Sequence, residues 1–78
     1  MNREQKELLL QIAQWHIKDF NNRMVDTWSD KNYLIASECN KTICKLELEY
    51  TDKYGELPKW EYIDDVCNAV KQLREELK

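Results

Sequence analysis

Residues 54–62 read YGELPKWEY and hold the only glycine and the only proline of a 78-residue chain. A chain with one of each has few places to turn, and β-hairpins need more punctuation than this. The scarcity points to an all-α protein. Gly55, following an apolar helical repeat, reads as the left-handed residue that ends a helix. Pro58 reads as the first residue of the next helix, where its missing N–H costs nothing. On this reading Gly55-Glu56-Leu57-Pro58 stops one helix and starts another within four residues.

Upstream of that corner, a helix is expected over about 30–54, with Ser29 or Thr27 as its N-cap. Ala36, Cys39, Ile43, Leu46 and Tyr50 recur at spacings of three and four, which makes one apolar seam. A smaller second stripe (Tyr33, Ser37, Cys44, Leu48) lies beside it, as the middle helix of a bundle would require. Downstream, a helix is expected over about 58–77, with Ile63, Val66, Val70, Leu73 and Leu77 as its core face. A first helix over about 2–26 presents Leu9, Ile12, Ala13, His16, Phe20 and Met24 on one face, widened by Leu10 and Ile17. Short connections favour antiparallel neighbours. The expected fold is a single domain, 1–78, built as an up-down-up three-helix bundle of antiparallel helices. A core this thin is marginal, so dimerisation is a second way of completing it.

Apolar residues are 42% and charged residues 35%. That balance suits neither a disordered tail nor a membrane protein. No apolar run exceeds three residues (Leu8–Leu10), far short of a transmembrane span or a signal-peptide core. A cytoplasmic location is the expectation. Three cysteines, Cys39, Cys44 and Cys67, are an odd number sitting within helical patterns, and they read as buried, reduced thiols. With the one histidine, His16, they match the inventory of a Cys3His zinc site. Such sites bring their ligands in closer pairs than Cys39 and Cys44, which diverge around a helix. No cofactor or metal is expected. His16 reads as a residue partly buried between helices and bonded to a carbonyl or carboxylate.

Adjacent carboxylates such as Asp64 and Asp65 point about 100° apart on a helix, which makes solvated faces rather than a catalytic dyad. The chain holds no glycine-rich phosphate loop and no nucleophile elbow, so it reads as non-enzymatic. The net charge is −3, and it is uneven. Between Glu47 and Asp65 stand seven acids and two lysines, a balance of −5 that leaves the remainder at +2. A nucleic-acid binder would show a basic stripe instead. The third helix would open with acids that repel phosphate, which weakens the reading as a small DNA-binding regulator.

What remains is a set of aromatic rings among acids. Tryptophan and tyrosine anchor protein interfaces, and surrounding acids steer a basic partner. The expected partner-binding residues are Tyr54, Glu56, Trp60, Glu61, Asp64 and Asp65, with Glu49 and Asp52 beside them. The function this suggests is a non-catalytic interaction module that binds a basic surface of another protein through an acidic–aromatic end. An inhibitor or adaptor covering a nucleic-acid-binding surface, as short phage proteins do, is its concrete form. The competing readings are that Leu57 and Trp60 plug one end of the bundle, and that the chain is a homodimerising structural module.

Overall fold

The computed structural model describes all residues, 1–78, as three helices and no strand. They are α1 (Arg3–Arg23), α2 (Asp30–Tyr54) and α3 (Ile63–Glu76). The all-α, three-helix architecture follows the periodicities closely. Cys39, Ile43 and Tyr50 are the buried residues of α2, and Val66, Val70 and Leu73 are those of α3. Helix α1 buries Leu8, Leu9, Ile12 and Ala13. No helix is long and apolar enough to cross a membrane.

Helix α1 stops three residues short of the expected boundary, leaving Met24 beyond it and 67% exposed. The turn is locked by two asparagines. Asn22 Nδ2 donates to the Asn32 carbonyl at 2.9 Å, and Asn32 Nδ2 donates back to Asn22 Oδ1 at 3.0 Å. Asn32 Oδ1 also accepts from the Ser29 backbone N–H at 2.9 Å, which closes the start of α2.

The largest departure from expectation lies at the second corner. Residues 55–62 are not helical, and α3 begins at Ile63 rather than at Pro58. Gly55 has φ 92° and ψ −145°, so it is not a left-handed helical cap; that ψ sends the chain outward into an extended path. Leucine before proline is itself pushed away from helical geometry. The start of α3 is then fixed from inside the helix. Asp65 Oδ2 accepts from the backbone N–H groups of Glu61 and Tyr62, both at 3.2 Å, so these donors are satisfied with the chain unwound before them.

This strap alters the path of the chain. Helix α2 runs antiparallel to α1: Asn22 meets Asn32 at one end, and Gln5 Nε2 donates to Tyr50 Oη at 3.0 Å at the other. Helix α3 also runs antiparallel to α1. Ile17 and Ile63 pack on one cluster, Lys6 pairs with Glu76 at 3.2 Å, and Arg3 donates to the Leu77 carbonyl at 3.4 Å. The second and third helices are therefore parallel to each other, and the order up-down-up becomes up-down-down. The physical reason is reach. Eight extended residues span up to about 26 Å, whereas the climb along α1 from Leu8 to Ile17 is only about 14 Å. The strap carries the chain back before α3 begins.

Helix α1, rather than α2, is the middle helix; α2 and α3 each pack on it and not on one another. Leu57 packs against the core cluster of Leu8, Leu9, Ile12, Tyr50 and Leu73, and Trp60 packs against both core clusters. The strap thus takes the place of a direct α2–α3 contact. Gly55 has open space where a Cβ would stand, so any cost of a side chain there is conformational. Gly55→Ala is expected to lower stability by about 1–3 kcal/mol. Thermal unfolding followed by circular dichroism should show it as a midpoint lowered by roughly 4–8 °C per kcal/mol.

Candidate functional site

The strap distributes the expected site residues instead of gathering them. Tyr54 and Glu49 stand at the level of the α1 N-terminus, beside an open groove of about 400 Å³ that also takes in Glu4, Glu7, Gln11 and Lys53. Lys53 pairs with Glu49 at 3.2 Å, and that hydrogen bond pushes its ammonium pKa up. Asp52 is exposed on α2, and Glu56 is exposed on the strap. Trp60, Glu61, Asp64 and Asp65 stand further along, where the strap ends and α3 begins. Tyr54 and Glu49 thus line a groove with Leu8 and Gln11 of α1, while Trp60 and Glu61 line a separate one with His16 and Phe20.

Both expected aromatic anchors serve the core. Tyr54 packs against the main cluster, with its ring centroid 5.4 Å from that of Tyr50. Trp60 divides two grooves. On one side a space of about 290 Å³ lies under Pro58, against Leu9, Leu73 and the Lys6–Glu76 pair. On the other, a groove of about 220 Å³ opens between α1 and the start of α3. Phe20, His16, Trp60, Glu61 and Tyr62 line that second groove. Its outermost ring is Tyr62, 70% exposed. With the helix starting at Ile63, Tyr62 is the N-cap residue and its side chain leaves the helical surface. Phe20, expected in the core, is 36% exposed because the α1 face outruns what α3 covers.

The acids divide by use. Asp65 is committed to capping α3. Glu61, Asp64, Glu56 and Asp52 are exposed and make no ion pair. Asp64 in the first turn of α3 complements the helix dipole. His16 behaves as its sequence position suggests. Its Nε2 lies 3.5 Å from Glu47 Oε2, and its ring meets Trp60 edge-on at 6.1 Å. It bridges α1, α2 and the strap.

The three thiols occupy three environments and no disulfide joins them: Cys39 is buried, Cys67 half-buried and Cys44 exposed. The expectation that all are buried fails at Cys44, since no helix covers that side of α2. No group of three or more histidine, cysteine or acidic side chains converges on one point that could hold a metal. Burial, then the negative charge of Asp19, pushes the Cys39 thiol above its ordinary pKa. Asp19 Oδ2 accepts from Arg23 Nε at 3.0 Å, while its buried Oδ1 has no hydrogen-bond partner. No known protein family, curated protein or solved structure matches the chain.

Thiolate is the reactive form, and burial both hides and protonates it. Titration with a thiol reagent at neutral pH is expected to label Cys44 first, Cys67 next and Cys39 only on unfolding. The raised Cys39 pKa also gives a sign with pH. The folded chain holds that proton longer than the unfolded one, so stability declines as pH rises past the ordinary thiol pKa of about 8.5.

Proposed function

We propose that this chain is a non-catalytic protein-binding module that engages a basic surface of its partner through the junction of the strap and α3. The observation that carries the reading is the state of Tyr62, Glu61 and Asp64. A large ring stands 70% exposed beside a groove lined by Phe20 and Trp60, and next to it are two carboxylates that no cation of the chain neutralises. Asp65 accepts the N–H groups that open α3, while the side chains of Glu61 and Asp64 make no ion pair within the chain. A ring over a groove gives a partner side chain apolar area and a π face, and the acids favour a cationic one. Tyr54 and Glu49, expected in the same interface, line a different groove. The module is accordingly centred on Trp60, Glu61, Tyr62 and Asp64. Occlusion of a nucleic-acid-binding surface on the target is the form of inhibition that fits such a face.

Affinity capture from cells of the source organism, followed by mass spectrometry, tests this with Tyr62→Ala/Glu61→Lys beside the unaltered chain. Both positions are exposed, so helicity is expected to persist. Partner binding is expected to weaken by about 2 kcal/mol or more, the loss typical of an interface anchor. Trp60→Ala is less informative because Trp60 also supports the core. Recovery of the same partners in equal amounts by the double variant would sink the assignment.

A further inference from the structure

Helix α2 has an outer face that nothing in the fold covers. It packs on α1 through Cys39, Ile43 and Tyr50. Leu34 precedes Ile43 by nine residues and Leu48 follows Cys39 by nine, which on a helix is about half a turn away. Leu34 is accordingly 72% exposed and Leu48 65% exposed. Lys41 lies midway between them at the seven-residue step that keeps side chains in one row. Ser37 and Cys44, from the second stripe expected to meet a neighbouring helix, are exposed beside this row.

A row of charges runs along the same face at the same step: Lys31, Glu38, Lys45 and Asp52. All four are exposed and none makes an ion pair. Pairs on one helix form at spacings of three or four, and seven residues separate their backbones by about 10 Å, so these charges do not neutralise one another within the chain. Their order is plus, minus, plus, minus. Turned end for end, the row reads as its own complement.

We infer that the chain forms an antiparallel two-fold homodimer through this outer face of α2. In that arrangement Lys31 meets the partner's Asp52 and Glu38 meets the partner's Lys45, and the two-fold axis repeats each pair. The same alignment brings Leu34 beside the partner's Leu48. A parallel arrangement in register would set like charge on like at every step. The two Lys41 side chains approach each other near the axis; they weaken the seam and disfavour other registers, the usual role of a polar residue in such a row. The inference does not depend on the strap, which packs against the opposite side of α2 and stays free in the dimer.

Sedimentation equilibrium from about 1 µM to about 1 mM tests it. The unaltered chain is expected to show a monomer–dimer equilibrium. Glu38→Lys is expected to weaken the dimer about tenfold, since it turns two symmetry-related attractions into repulsions. Combining Glu38→Lys with Lys45→Glu should restore it, because the swapped signs still match in the antiparallel arrangement and would clash in the parallel one. Lys41→Leu should tighten it. All these positions are exposed, and circular dichroism should register unchanged helicity. A strict monomer for both the unaltered chain and Lys41→Leu overturns the proposal, as does a dimer that ignores Glu38→Lys or that the double swap fails to restore.

Discussion

The fold depends on Leu57 and Trp60 being drawn into the groove above α1. Once these two side chains are half-buried there, residues 55–62 must lie extended along the bundle, and α3 must start at the far end. Gly55 permits the departure, with a backbone conformation that L residues rarely adopt. Asp65 permits the arrival by accepting two N–H groups that the unwound chain would leave open. The partial burial of a tryptophan and a leucine against the core offsets the helical hydrogen bonds that an extended strap forgoes. Because the strap occupies the wedge between α2 and α3, those helices run parallel without touching.

From this follows an uneven distribution of burial. Helix α1 is covered on two sides and holds four of the ten buried residues. Helix α2, though four residues longer, has one helical neighbour and leaves a whole face to solvent. His16 shows how the layers are tied together: one ring on α1 reaches a carboxylate on α2 and the indole of the strap. The buried Tyr50 likewise finds its one polar partner in Gln5, as a tyrosine hydroxyl in a core requires.

The parts of this fold legible in sequence were those set by a regular period. The core faces of α2 and α3 came out residue by residue, as did both ends of α2, since apolar spacing and capping chemistry are local. The strap was not legible by the same means. Pro58 suits a first helical turn and Gly55 suits a helix end, and both local preferences were overridden by the burial of Leu57 and Trp60, whose groove exists only after α1, α2 and α3 are assembled. A signal was nonetheless present in Asp65, an acid three residues beyond Tyr62 that suits the third position of a capped helix. Asn22 was similarly hidden: its partner Asn32 lies ten residues on, across a turn without regular period. For the site, Trp60 and Glu61 line one groove and Tyr54 and Glu49 another, since an extended strap separates residues that a helical corner would have kept close.

The two surfaces left over by the fold, the strap–α3 junction and the outer face of α2, have different chemistries and need not compete. One pairs aromatic area with unneutralised acid, so it favours a partner unlike itself. The other carries a charge order complementary to its own reversal, so it favours a second copy. If both are used, each dimer holds two acidic–aromatic faces in a fixed relation. A target with repeated basic surfaces would then meet the second face at an effective concentration set by geometry, which raises avidity without any new contact. Association would also stabilise the chain by mass action. That matters for a protein of this size, which buries only ten residues, eight of them in two small clusters, and leaves little margin for a helix with a single neighbour.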